Sequence, residues 1–579
     1  MSRKLSKDFT VVVAGQAGQG IESVASVLAH VLKKQGYHTY VSKDVMSRVR
    51  GGMNAITLRV SNERADAYRA TIDLFVPLDP RAYEHFAKRF DKKTIFMGID
   101  DPANATISPD SKTVSRRPVI TVNFIQIAHE VGNRLFANTI AAGAILGLLD
   151  MEKEVGVHYL RGFFQRKGQK IVDGNITAFE KGFTFGQHAA YQEDITVTLK
   201  AKDDVEDYIF LSGAEAVGLG ALGGGCNFIS SYPMSPATGV LTFLAQNGKE
   251  CGVVVEQATD EIGAINMTLG ASYAGARGIV TTSGGGFCLM TETISLSAIT
   301  ETPIVVHIAQ RPGPATGLPT RTAQEDLALA LHAGHGEFMR AIYTPGTPEQ
   351  MYDLTARALD TADQFQVPVF VLTDQMMMDS LYCAPETAFA QRTVKRHITE
   401  TTELYKRYEL GGNGITPRGI PGYGQGFVRA DSDEHDEDGC ITEDMDGLRM
   451  QMMDKRLFKR KQLLVENALA PDIQHAKKKD TLIICWGSNK NVAKEALDKV
   501  GAENIGLAHF QQVYPLNASV AELLQSYRKI IVLEGNATGQ FADVLEVETG
   551  EIVHERIGKW NGEPFSVEEL TEKFKESKS

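Results

Sequence analysis

The sequence predicts a multidomain α/β protein built from three-layer domains with parallel sheets, and three observations predict it. Short, continuously apolar segments alternate with helical stretches, the pattern of strands covered on both faces of a parallel sheet. The chain has 579 residues, too many for one hydrophobic core, so about three or four domains are expected. Several apolar segments run directly into glycine- or proline-rich turns, the places where open α/β sheets bind ligands.

The first domain, 1–195, opens with the strand Val11-Val12-Val13 and the turn Gly15-Gln-Ala-Gly18-Gln-Gly20. A helix over 21–34 follows, with apolar residues at near-helical spacing, and then a strand over 37–41. Further strands are expected at 55–60, 74–77, 94–97 and 119–122, and a helix dense in small residues over 137–149. The polar run 196–205 reads as a boundary. The second domain, 206–391, has apolar strands expected at 227–230, 252–255, 278–281, 303–308 and 367–372. The segment 392–478 is poor in strand signals and reads as a connector with its own local structure. It carries an acidic loop over 431–438 and a basic helix with Met450, Met452, Met453, Lys455, Arg456 and Lys459. The last domain, 479–579, returns to α/β with strands at 481–486 and 529–533. No internal repeat with a period of about 20–50 residues is present.

Composition narrows the function classes. The hydrophobic fraction is 43% and the charged fraction 23%, both ordinary for a globular protein. A net charge of −12 argues against nucleic-acid binding, which needs clustered Lys and Arg. The six cysteines (Cys226, Cys251, Cys288, Cys383, Cys440, Cys485) lack the short spacing of zinc or iron–sulfur motifs, and no metal site is expected on this chain. Reduced, mostly buried thiols are the expectation. The N-terminus has no apolar signal region, and no run of about 18 apolar residues occurs, so the chain reads as soluble and cytoplasmic, with no membrane association.

Four stretches carry candidate chemistry. In Val253-Val-Val-Glu-Gln-Ala-Thr-Asp-Glu261 a buried strand leads into a helix on which Glu261 shares a face with Ile265, Thr268 and Leu269. Glu256, Asp260 and Glu261 either complement the positive helix end or include a buried carboxylate tuned for catalysis. In Thr281-Thr-Ser283-Gly284-Gly285-Gly286 a strand ends in a turn that exposes backbone N–H groups to a ligand, or simply allows tight chain reversal. Arg311 follows another apolar strand, in a loop stiffened by Pro312, Pro314 and Pro319. It suits a two-pronged grip on a carboxylate or, alternatively, a surface salt bridge. Ser230-Ser-Tyr232-Pro233-Met-Ser235-Pro-Ala-Thr238 places a hydroxyl at a strand's carboxyl end, available to a substrate oxygen or to a helix cap.

Together, Tyr232-Pro-Met-Ser-Pro, the Glu261 helix, the Ser283-Gly-Gly-Gly turn and Arg311-Pro-Gly-Pro-Ala-Thr-Gly-Leu-Pro-Thr-Arg-Thr resemble the α subunit of 2-oxoacid:ferredoxin oxidoreductases. Gly15-Gln-Ala-Gly-Gln-Gly-Ile and Arg50-Gly-Gly-Met-Asn resemble that family's γ domain, fused here in front of α. Gly487-Ser and Glu534-Gly-Asn-Ala-Thr-Gly-Gln resemble its C-terminal domain. The resemblance implies a thiamine-diphosphate-binding (pyrimidine-type) fold at 206–391 and a transketolase C-terminal-like domain at 479–579.

It also implies chemistry. Thiamine diphosphate would be shared with a partner subunit, with Glu261 as the carboxylate that activates the aminopyrimidine and Tyr232, Pro233, Ser283, Gly284 and Gly285 around the ring. Ser235 and Arg311 match positions that hold the 2-oxoacid, and Arg321 is a candidate cation for a second carboxylate. The loop resembles the 2-oxoglutarate branch of the family more than the pyruvate branch. The Gly-Asp-Gly of the family's diphosphate and Mg²⁺ site does not occur in the sequence, so Mg²⁺ and a [4Fe–4S] cluster are expected on a β subunit. Coenzyme A is the expected cosubstrate, ferredoxin the electron partner and a dimer of αβ heterodimers the assembly. Another 2-oxoacid, such as pyruvate or a branched-chain acid, and a non-oxidative thiamine enzyme are the alternatives within this chemistry. A nucleotide-binding assembly subunit, with Gly15–Gly20 as the turn and Asp44 as the ribose acid, is the alternative outside it, although the glycine spacing is not Gly-x-Gly-x-x-Gly. Arg48 and Arg50 stand as phosphate-facing or simply solvated charges.

Overall fold

Alternation along the strand Asp8–Gln16 divides the first core in two. Val11 and Val13 pack with Leu28, Leu32, Ile145 and Phe179 on one face, while Val12 and Ala14 pack with Phe75, Phe86 and Phe96 on the other. The computed structural model describes residues 3–5, 8–16, 21–46, 52–98, 119–199 and 201–577, and these divide into two compact units. The first comprises 1–210, 380–386 and 566–568. The second comprises 211–379, 387–565 and 569–579.

The first unit is built on an eight-stranded sheet in the order Val119–Thr121, Ile95–Gly98, Leu74–Pro77, Asp8–Gln16, Met53–Ser61, His38–Val45, Leu381–Pro385, Tyr208–Ser212. Helix Ile21–Lys34 forms over the predicted span, but His38–Val45 does not pair with Asp8–Gln16. Met53–Ser61 lies between them, antiparallel to both, so this sheet is mixed. The long antiparallel pairing of His38–Val45 with Met53–Ser61 gives a local hairpin, which needs no crossover. Helix Ala137–Leu148, buried from Thr139 onward, packs against Gln169–Gln192. Gly18, Gly20, Arg48 and Arg50 lie outside the described residues.

The second unit holds a seven-stranded sheet, Val254–Gln257, Phe228–Ser231, Gly278–Thr282, Ile304–Gln310, Pro368–Asp374, Ala341–Tyr343, Gln512–Tyr514. Its first six strands are parallel, and the last joins antiparallel. A five-stranded sheet follows, in the order Asp472–Gln474, Ile505–Phe510, Thr481–Trp486, Lys529–Glu534, Glu555–Gly558. One core spans both sheets, with Val306, Ile308, Phe370 and Leu372 in the same cluster as Ile484, Trp486, Phe510 and Phe541. The sheets therefore share apolar burial and do not form independent cores.

The connector has a few isolated bridges and a helical run whose turns Met445–Arg449 and Asp454–Lys459 are π-helical. Along its basic helix Lys455, Arg456 and Arg460 are buried. Buried cations require partners, and Glu301, fully buried, is that partner for two of them. Lys455 Nζ reaches Glu301 Oε1 at 3.2 Å, Arg460 binds Glu301 Oε2, and Arg407 Nη2 donates to the Glu301 carbonyl at 2.6 Å. Burial alone would raise the Glu301 carboxyl, but Arg460, Lys455 and Arg407 outweigh it and keep the group ionised. Among the cysteines, Cys226, Cys383 and Cys485 are buried, whereas Cys251 and Cys288 are exposed and Cys440 is intermediate. No helix among the described residues is long and apolar enough to cross a membrane.

Candidate active site

The strands Phe228–Ser231, Val254–Gln257, Gly278–Thr282 and Ile304–Gln310 run parallel, so the loops after them gather at one edge of the sheet. Beneath that edge lies a ladder of hydroxyls. Thr281 N donates to Ser231 Oγ at 2.9 Å, and His307 bridges Thr281 Oγ1 at 2.7 Å and Thr373 Oγ1 at 2.8 Å. Burial pushes His307 down to about 3, so its ring is neutral and ties three strands together.

Glu261 opens the helix Glu261–Tyr273, whose N-cap Asp260 accepts from Gly263 N at 2.7 Å. The capping duty thus falls to Asp260, and Glu261 turns inward beside Ile265, Thr268 and Leu269. Glu261 is 3% exposed, yet its Oε1 has no hydrogen-bond partner among the described residues. Leaving a buried carboxylate oxygen unpaired costs about 1–3 kcal/mol or more, which marks it as a group awaiting a donor. The opposite helix face is open, with Ile262, Asn266, Met267 and Gly270 exposed. Edge-strand residue Val254 is exposed as well.

The glycine turn forms the wall beside Glu261. A Cβ on Gly286 would fall 2.6 Å from Glu261 Oε1 and 2.2 Å from Thr282 Oγ1. One on Gly284 would fall 2.2 Å from Asp326 Oδ1. Any side chain here would displace a carboxylate. Ser283 and Gly284 are buried and Gly285 is exposed. Ser283 Oγ donates to Met234 Sδ at 2.7 Å, joining the turn to the loop that carries Tyr232, Pro233 and Ser235. Tyr232 is exposed and Pro233 half-buried.

Ser235 precedes a cis peptide bond to Pro236, and neither Ser235 nor Thr238 caps the helix Thr238–Asn247, whose N-cap is Ala237. The Ser235 carbonyl accepts from Arg311 Nη1 at 2.7 Å. Arg311 is half-buried, and no carboxylate among the described residues lies within salt-bridge distance of it, so the surface salt bridge is not formed. Arg321 lies further along the same loop, half-buried, its Cβ beside Gly562.

Sequence reasoning assigned no role to Asp326. The loop that leaves the strand at Arg311 returns at Asp326, whose backbone N–H donates to Gln310 Oε1 at 3.0 Å. Its Oδ2 is buried without a hydrogen-bond partner among the described residues. Burial, reinforced by Glu325, pushes the Asp326 carboxyl up to about 7 despite the opposing Arg311 charge. The signal for it lay in the Gln-Glu-Asp that ends the arginine loop, but its approach to Gly284 arises only when two loops meet. Glu261, the glycine turn, Asp326, Arg311, Ser235 and Met234 thus form one continuous wall. At the other candidate site, Asp44 takes a hydrogen bond from His85 Nε2 at 3.3 Å.

Residues 219–455 match the family described as pyruvate flavodoxin/ferredoxin oxidoreductase, thiamine diphosphate-binding, and residues 10–185 match the pyruvate ferredoxin/flavodoxin oxidoreductase family. A 2-oxoglutarate:ferredoxin oxidoreductase structure from Magnetococcus marinus, with 2-oxoglutarate, coenzyme A and succinyl-CoA bound, is 30% identical. It covers 99% of this chain and 100% of its own, with a TM-score of 0.92. The 2-oxoacid:ferredoxin oxidoreductase subunit alpha of a Sulfolobus species is 28% identical over 97% of this chain and 95% of its own length. The 2-oxoglutarate synthase subunit KorA of Methanothermobacter marburgensis is 29% identical over 64% of this chain and 98% of its own.

Proposed function

The chain belongs to the 2-oxoacid:ferredoxin oxidoreductases, which depend on thiamine diphosphate, and we propose that it is the fused γ–α subunit of an enzyme acting on 2-oxoglutarate. The reaction joins oxidative decarboxylation to coenzyme A and ferredoxin, giving succinyl-CoA, or runs in reverse. The observation that carries the reading is the buried Glu261 Oε1, without a hydrogen-bond partner among the described residues, beside Gly286, where a Cβ would fall 2.6 Å from it.

Those residues fit an aminopyrimidine. Glu261 Oε1 would accept a hydrogen bond from a protonated ring nitrogen, and burial would keep that bond free of competing water. Thiamine diphosphate, when bound, supplies the nucleophilic carbon and the electron sink that cleavage beside a carbonyl requires. Ser283, Gly284 and Gly285 present the turn's backbone to the ring, with Tyr232 and Pro233 forming the adjoining wall. Arg311 grips the substrate's 1-carboxylate with the guanidinium nitrogens not engaged by the Ser235 carbonyl. The Ser235 hydroxyl, not used in a cap, donates to the 2-oxo oxygen. Arg321 meets the distal carboxylate of a C5 diacid.

The diphosphate with its Mg²⁺ and the [4Fe–4S] cluster are assigned to a β subunit, because the sequence has neither a Gly-Asp-Gly nor a cysteine set. The exposed apolar face of Ile262 and Met267 with the open edge residue Val254 offers a surface for that chain. A dimer of αβ heterodimers is the assembly proposed. The 2-oxoglutarate choice is supported by the Magnetococcus marinus and KorA relatives. Anaerobic co-purification with the β chain and a screen of 2-oxoacids with coenzyme A tests it. Preferential dye reduction with 2-oxoglutarate is expected, and preference for pyruvate or a branched-chain acid would refute the substrate.

A further inference from the structure

The loop 311–326 begins and ends at one point. Asp326 N is bound to Gln310 Oε1, and Gly313 N donates to Glu325 Oε2 at 2.9 Å. Such a neck sets where Arg311 leaves the sheet, but two hydrogen bonds do not by themselves fix a sixteen-residue excursion. What fixes it comes from the C-terminal sheet. Gln324, 2% exposed, donates from Nε2 to the Trp486 carbonyl at 2.9 Å. Its Oε1 accepts from Asn489 Nδ2 and from Gly535 N, both at 2.8 Å. Its backbone N–H donates to the Gly535 carbonyl at 2.8 Å, and its own carbonyl accepts from Asn536 Nδ2 at 2.9 Å.

Gln324 is thus a key held in a lock made by two loops of the other sheet. Gly487 leaves room for the key: it has φ +57, and a Cβ there would fall 2.7 Å from Gln324 Nε2. Neighbouring residues follow the same path. Thr322 N donates to the Gly562 carbonyl at 3.1 Å, and Gln540 Nε2 donates to the Glu325 carbonyl at 2.8 Å. Every one of these bonds lies on the returning limb of the loop, within five residues of Asp326.

We infer that Gln324 is a positioning residue for the 2-oxoacid: by keying the loop 311–326 into the C-terminal sheet, it sets where the Arg311 guanidinium meets the substrate carboxylate. The inference rests on the reading of Arg311 as that carboxylate's anchor. It gives the C-terminal sheet a part in substrate recognition although Gln324 touches no substrate.

The test uses the complex with its partner subunit, loaded with thiamine diphosphate, in Arg311→Ala, Gln324→Glu, Asn489→Ala and the Arg311→Ala/Gln324→Glu double variant. In Gln324→Glu a carboxylate oxygen faces the Trp486 carbonyl in place of the amide donor. Asn489→Ala removes one donor to the key and leaves the loop's own residues intact. The expected result for Gln324→Glu and Asn489→Ala is a rise of about tenfold in the Michaelis constant for the 2-oxoacid, with kcat within about twofold. The dissociation constant of an unreactive dicarboxylate analogue, read by calorimetry, rises by the same factor. In the Arg311→Ala background, Gln324→Glu adds nothing further, because it acts through Arg311.

Unchanged substrate and analogue affinity in a folded Gln324→Glu or Asn489→Ala complex, while Arg311→Ala is impaired, overturns the inference and leaves the anchor standing. Unchanged affinity in Arg311→Ala overturns both. A multiplicative loss in the double variant also overturns the inference. If Gln324→Glu does not assemble, Asn489→Ala decides between these outcomes.

Discussion

Gly286 stands so close to Glu261 that a single added carbon would lie 2.6 Å from the carboxylate's Oε1. The same oxygen is buried and lacks a hydrogen-bond partner among the described residues. The glycine turn and the acid are therefore one device, with the absent side chain leaving the carboxylate its position and an incoming donor its approach.

Glu261→Gln keeps the size of the side chain and removes its charge. In the assembled enzyme, turnover is expected to fall by about 100-fold or more, with the melting temperature within a few degrees of wild type. Anaerobic dye reduction measures it, and a variant with full activity would remove the assignment of the acid.

Gly286→Ala places a methyl group against both Glu261 Oε1 and Thr282 Oγ1. Overpacking of this kind costs about 1–3 kcal/mol, and the carboxylate is the more mobile neighbour. Weaker thiamine diphosphate binding is expected in a titration of the apo-complex, together with a lower melting temperature. Wild-type affinity would show that the carboxylate does not need this wall.

Asp326 makes stability depend on pH with a definite sign. Its carboxyl is raised in the folded chain from an ordinary 3.8 to about 7, so the native state holds the proton more tightly than the unfolded state. The stability it contributes is present below about pH 4 and is lost as the pH rises through about 7. Asp326→Asn cannot ionise, so the variant's melting temperature should gain on wild type between about pH 4 and pH 7 and hold that gain above it. Parallel curves for the two proteins across that range would contradict the assignment.

Glu301→Ala leaves Lys455 and Arg460 buried without their carboxylate. Breaking a buried ion pair from one side costs about 3–5 kcal/mol. The cost should appear in denaturant unfolding and as faster hydrogen exchange across the connector helix around Met450–Met453. Unchanged protection there would mean that apolar packing of the connector, and not Glu301, holds it.

Much of the site was legible in the sequence because each part is local. An apolar strand followed by Asp260-Glu261 and a helical stripe of Ile265, Thr268 and Leu269 places the acid on the inner face without knowledge of any other segment. The same holds for Arg311 and for the glycine turn, each set by the strand it follows. The pairing order of the first sheet was not legible, because apolar alternation fixes which face a residue occupies and not which strand lies beside it. The basic helix was expected, but its burial was not legible, for a related reason. Nothing local to Lys455 and Arg460 signals their burial, because their carboxylate, Glu301, lies more than 150 residues earlier in the chain.

Sequence alone therefore determined the strand–helix grammar, the inward face of Glu261, and the clustering of Ser235, Ser283 and Arg311 at strand ends, since periodicity and turn chemistry act over a few residues. Tertiary structure alone decided that Asp326 lies against Gly284, that Gln324 is locked between Trp486 and Gly535, and that Glu261 Oε1 is buried with no hydrogen-bond partner among the described residues. Those facts depend on which distant loops exclude water together, and burial of that kind belongs to the assembled fold and not to any one segment.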